Sequence, residues 1–177
     1  MPTLTNTPRR NYAALAPPAN PPHDRGPRAA ALIDALWNAL APTGVSWIGV
    51  YVGPRERTDD GRTAAEDEML LGPCRNKPAC SPIGLHGVCG RGWRERRSVV
   101  VRDVAVLGPD YVACDPKDRS EAVVPLFDEL AACWGVIDAD SFDLASFTEE
   151  DARQLAALAY AWRLTKRPPE KLDVTVL

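Results

Sequence analysis

Cys114 stands in the stretch YVACDPKDRSE, a polar run of turn-forming residues that ends at Glu121, where the chain turns apolar again as AVVPLF. A structural cysteine normally has apolar neighbours and behaves as a small hydrophobe; this one has carboxylates beside it. Cys80 in KPAC and Cys89 in GVCG also fall in turn-rich segments. Three loop thiols with no structural task point to thiol–disulfide chemistry. Cys74 and Cys133 lie in or beside apolar strands and receive no role. Five cysteines cannot all pair within one chain, and no two are spaced C-x-x-C. With histidines only at His23 and His86, close-spaced structural zinc ligands are lacking, so no metal is assigned.

Two further groups could act with a thiol. In GVIDAD, Asp138 and Asp140 are two residues apart, so on a strand both carboxylates point to one face. There they would bind a cation or hold one shared proton. In WIGVYV, Trp47, Gly49 and Tyr51 share one strand face, and Ile48, Val50 and Val52 the other. The aliphatic face is core. The Trp/Gly/Tyr face is either a second core face beneath a helix or the aromatic wall of a small-ligand pocket. If the strand that Glu121 opens pairs with the one carrying Asp138 and Asp140, three carboxylates meet that wall. Such a site fits a small zwitterion, its ammonium on the acids and its apolar end on the rings.

The elements that must position these residues are legible in outline. A proline-rich, poorly ordered arm is expected over residues 1–26, a single domain over 27–166 and a tail over 167–177. Leu32, Ile33, Leu36, Trp37 and Leu40 recur at helical spacing after Pro27, and Pro42 and Gly44 close that helix. Strands are expected at VSWIGVYV, MLLGP, SVVV, EAVVPLF and LAACWGVIDAD, with a short helix at GVCGRGWRERR. Thr148 caps a second long helix, with Asp151 at the capping-box position and Leu155, Leu158, Ala159 and Trp162 as its apolar stripe. The spacing predicts one α+β layer structure.

At 177 residues, 45% hydrophobic and 25% charged, the chain is long enough for a real core. A net charge of −3 gives no electrostatic footprint for nucleic acid or an anionic membrane, and no apolar run approaches spanning length. The first residues lack the apolar core of a signal peptide, so the cytoplasm is expected.

In the order WIGVY, LGP, KPAC, GVCG, VACD, RSE, VVPL and GVIDAD, the chain resembles the free methionine-(R)-sulfoxide reductases, single-domain enzymes of the GAF fold, over roughly residues 28–163. The resemblance implies a GAF-like central antiparallel sheet of about six strands with helices packed on it. It implies Cys114 as the thiolate that attacks the sulfoxide sulfur. Cys80 would convert the resulting sulfenic acid to a disulfide, and Cys89 would be a third or alternative redox cysteine. Glu121, Asp138 and Asp140 would hold the substrate ammonium and the sulfoxide oxygen, and Trp47 and Tyr51 would enclose the methyl group. The implied partners are free methionine sulfoxide and a thioredoxin-like dithiol; a homodimer is allowed, and no cofactor is required. The alternative is a non-catalytic GAF module that binds a small ligand or senses redox state through the same thiols.

Overall fold

Asp24 precedes the first long element, helix α1 (Arg25–Leu40), and Pro27 falls in its first turn, where a missing N–H costs nothing. The computed structural model describes residues 10–76, 79–111 and 113–177. After α1, Gly44 takes a left-handed conformation with φ 96° that an L side chain resists. It turns the chain into β1 (Val45–Val52). Then come β2 (Glu68–Arg75), β3 (Ile83–Gly84), α2 (Val88–Glu95) and β4 (Ser98–Val101), followed by a 3₁₀ segment (Val104–Asp110). The strands β5 (Ser120–Phe127) and β6 (Cys133–Ser141), helix α3 (Glu149–Ala161) and β7 (Val174–Val176) complete the chain.

The strands form one seven-stranded sheet in the order β3-β2-β1-β6-β5-β4-β7. All pairs are antiparallel except β4 with β7, which is parallel. The GAF-like antiparallel sheet expected from the sequence is therefore present, with an edge strand more than the expected six. That strand comes from the tail: Ser98, Val99 and Val100 pair with Val174, Thr175 and Val176. A three-residue strand just after two prolines carries too little local pattern to announce itself.

The sheet has two buried faces. One carries Ile48, Val50, Val124, Leu126, Ile137 and Ala139 and is covered by the apolar stripes of α1 and α3. Asp151 closes the capping box of α3 with Thr148, as its spacing in the sequence implied. The other face carries Trp47, Tyr51, Val99, Val101, Val123 and Val136 under α2. The proline-rich segment contributes to the first core. The Arg10 side chain is 1% exposed and pairs with Asp151 at 3.0 Å, and the Tyr12 hydroxyl donates to the same carboxylate at 2.7 Å. The first nine residues of the expected arm lie outside the described residues.

Candidate active site

The second sheet face places the acids by register alone. Trp47 pairs with Asp140 across β1 and β6, and Asp140 pairs with Glu121 across β6 and β5. One step along, Gly49 pairs with Asp138, which pairs with Val123. Side chains opposite one another in an antiparallel sheet are near neighbours, so the three carboxylates expected to converge do so beneath α2.

Gly49 makes the aromatic wall possible. A Cβ built there would stand 2.4 Å from Trp47 Cη2 and 2.8 Å from the Cβ of Cys74, the residue opposite it on β2. Any side chain at that position would push the indole aside. The Trp47 and Tyr51 rings instead stack over the gap, with centroids 5.9 Å apart and planes 28° apart. The rings belong to the core under α2 and also line a cavity.

That cavity, of about 30 Å³, is bounded by Trp47, Tyr51, Cys89, Cys114, Glu121, Asp138 and Asp140, with the turn before α2 as its roof. Seven of the eight residues singled out in the sequence therefore line one space. The eighth, Cys80, is joined to it covalently: Cys80 and Cys114 form a disulfide with their Cα atoms 5.5 Å apart. Cys89 is buried with its thiol free of any disulfide. Cys133 lies at the start of β6, away from the cavity.

Two loops carry the disulfide, and each is tied to the sheet. The Tyr51 hydroxyl donates to the Cys80 carbonyl at 2.9 Å. The Asn76 amide donates to the Ser46 carbonyl at 2.7 Å. On the other side, Ser46 Oγ donates to Asp118 at 3.1 Å, and the amides of Asp118 and Lys117 close a turn on Asp115. Asp118, buried beside the cluster, is a member that the sequence reading missed. Its signal, one more acid in an acidic polar loop, does not separate it from solvated neighbours until Ser46 packs against it.

Electrostatically the site is one-sided. Among the described residues no Lys, Arg or His lines the cavity. Burial, then the neighbouring Asp138 and Asp118, push the Glu121 carboxyl well above the carboxylate range. Burial, then Asp138 and Glu121, do the same to Asp140. Burial lifts Asp138 to about 7, the Cys89 thiol and Glu121 holding it back by hydrogen bonding. Burial, then the charge of Asp138 and Glu121, also raises the Cys89 thiol, so it stays protonated at neutral pH. Glu121 Oε2, Asp138 Oδ1 and the Trp47 indole N–H have no hydrogen-bond partner among the described residues. Buried polar atoms are normally paired. Two orphaned acceptors and an orphaned donor in one cavity describe a site completed by a ligand that both donates and accepts.

The sequence pattern of the GAF domain matches residues 29–161. The free methionine-R-sulfoxide reductase of Saccharomyces cerevisiae is 33% identical over 127 residues, covering 70% of this chain and 66% of that protein. Its Escherichia coli counterpart is 33% identical over 118 residues, covering 66% of this chain and 63% of that one. The chain thus spans just under two thirds of the length of these relatives. The crystal structure of the free methionine-R-sulfoxide reductase from Neisseria meningitidis, in complex with its substrate, superposes with a TM-score of 0.66 at 38% identity, covering 78% of this chain and 75% of that one. Among the described residues no helix is long and apolar enough to cross a membrane. The chain belongs to the GAF domain family, and within it is similar to the free methionine-R-sulfoxide reductases.

Proposed function

We propose that the protein reduces free L-methionine-(R)-sulfoxide to methionine, with Cys114 as nucleophile and Cys80 as resolving thiol, in the cytoplasm and with a thioredoxin-like dithiol as reductant. The observation that carries this reading is the convergence of Cys114, three carboxylates and two stacked rings on one cavity. The substrate ammonium supplies the cation that the acids lack. The Trp47 indole N–H, orphaned otherwise, donates to a substrate oxygen. The rings enclose the apolar end of the side chain.

A sulfoxide becomes a good electrophile when its oxygen is protonated. A carboxyl held protonated near neutral pH by burial and by a second carboxyl is a suitable donor, and the raised values at Glu121 and Asp138 support this role. The Cys114 thiolate attacks the sulfur of the protonated sulfoxide, forming an S–S bond as the S–O bond breaks and water is released; that water then attacks Cys114 Sγ, breaking the S–S bond, so that methionine leaves and Cys114 is a sulfenic acid. The Cys80 thiol displaces that oxygen as water, forming the disulfide that joins the two residues here. An external dithiol then returns both thiols by exchange. While Cys114 is held in the disulfide it has no thiolate to attack with, so reduction precedes each turnover. Cys89, kept as a thiol by the acids, hydrogen-bonds to Asp138 and acts as a positioning residue in this scheme.

The test is single-turnover release of methionine from the two free sulfoxide epimers and from a peptide-bound one. Turnover confined to the free (R) epimer is expected. Cys114→Ser should release none, and Cys80→Ser should release one equivalent and then stop. Equal rates on free and peptide-bound substrate, or turnover by Cys114→Ser, would sink the reading.

A further inference from the structure

Cys89 sits in the first turn of α2, which carries its thiol into the acid cluster. The sulfur, a Glu121 oxygen and an Asp138 oxygen lie within 4.8 Å of one another, all on buried residues. Glu121, 5% exposed, leaves Oε2 without a donor, and Asp138 leaves Oδ1 without one. Asp140 points from the same face one pleat away, directly across from Glu121. Among the described residues no cationic side chain lines the cavity. One soft donor and several hard ones therefore share a buried cleft. Its volume of about 30 Å³ has room for an ion with a water.

We propose that Cys89, Glu121 and Asp138 form a binding site for a thiophilic divalent cation of the Zn²⁺ class, with Asp140 or a water as fourth ligand. Zinc takes sulfur at about 2.3 Å and carboxylate oxygen at about 2.0–2.2 Å, so the donors of a tetrahedral shell stand roughly 3.3–3.8 Å apart. The three donors here, within 4.8 Å of one another, need to draw in by up to about 1.5 Å to reach such a shell, within the reach of side-chain rotation. The sulfur discriminates against Mg²⁺ and Ca²⁺, which take all-oxygen shells. A cation brings two charges where the ammonium of an amino acid brings one, and it uses the same oxygens. Metal and substrate therefore exclude one another, and the bound metal shields Cys89 from oxidation. Because Cys89 is outside the disulfide, the site stands in the disulfide-closed protein.

The experiment uses that form, freed of metal by a chelator and kept free of dithiols. It is titrated with Co²⁺ as an optical probe and then with Zn²⁺. One equivalent of Co²⁺ should bind with a sulfur-to-cobalt charge-transfer band, displaced by Zn²⁺ and untouched by excess Mg²⁺. Cys89→Ser should lose the band. Glu121→Gln should bind more than about a hundredfold more weakly, beyond the loss typical of outer-shell partners. Cys74→Ser and Cys133→Ser should behave as wild type. In the unaltered protein, Zn²⁺ should also protect Cys89 from alkylation, a measurement that stands even if Cys89→Ser misfolds. Absence of the band in wild type, its survival in Cys89→Ser, unchanged affinity in Glu121→Gln, displacement by Mg²⁺ or unprotected Cys89 would each overturn the site. The readout is metal binding and not turnover, so this inference and the reductase reading can fail separately.

Discussion

Two buried groups of acids lie on opposite faces of the sheet, and they are built on opposite terms. Asp151, under the first face, has every demand met. Arg10 pairs with it, Tyr12 donates to it, and the Thr148 amide and hydroxyl donate to its other oxygen. Burial alone would raise its carboxyl, but Tyr12, Arg10 and Thr148 outweigh burial and hold it below the usual carboxylate range. Glu121, Asp138 and Asp140, under the second face, have one another, a thiol and, among the described residues, no cation, and all three are pushed up. The partnered acid stabilises the fold, and the contrast supports the binding role proposed for the other three.

Exchanging the charges is the strongest way to break this contrast. Asp138→Asn should cut kcat/KM for methionine sulfoxide on the order of 10²–10⁴-fold, the usual range for losing an acid–base group. It should leave stability unchanged or improved, because it removes a buried like charge. A large fall in the unfolding midpoint with activity retained would reverse the assignment.

The mirror experiment is Arg10→Met. It strands Asp151 in the core and should destabilise by about 3–5 kcal/mol in denaturant titration, as for one partner removed from a buried pair. Kinetics of the folded fraction should be unchanged. Equal stability with and without Arg10 would mean that the arm is dispensable.

pH sharpens the contrast because the two clusters carry opposite signs. Asp151 has a folded pKa below its unfolded one, so its contribution is present above the unfolded value and is lost as pH falls through the folded one. Asp138 rises from 3.8 to about 7. Its folded form holds a proton that the unfolded form has lost, so it costs stability increasingly as pH rises through that window. In chelator-treated protein, Asp138→Asn should flatten the fall in thermal midpoint between these limits, and Asp151→Asn the fall at acid pH. A parallel response in both variants would contradict the pairing pattern.

The smallest expected effect is on the wall between the acids and the core. Trp47→Ala should weaken substrate binding by about 1–3 kcal/mol, the range for a lost apolar fit. Unchanged kinetics in a folded variant would make Trp47 core alone.

The strand alternation in WIGVYV and GVIDAD made the second face readable in the sequence, because a period of two fixes which side chains travel together. The register that sets Trp47, Asp140 and Glu121 in one row was not readable, since pairing between β1, β6 and β5 is a property of the sheet. The same limit hid Asp118, whose burial depends on Ser46 from a distant strand. It hid Arg10 too: a charged residue in a proline-rich run looks solvated until Thr43, Ser146 and Asp151 are assembled around it. Zinc illustrates the point again. Sequence spacing tests for ligands on one loop, whereas Cys89, Glu121 and Asp138 come from a helix and two strands.

Tyr51 leaves a final consequence. Its ring faces the pocket, and its hydroxyl holds the backbone of Cys80. One position therefore answers to two selective pressures that can be inherited separately. A phenylalanine there retains the ring and releases the loop, so under the proposed function drift at this site would change how freely Cys80 travels before it changed which molecule is recognised. Turnover speed and substrate choice can thus evolve apart through a single oxygen atom.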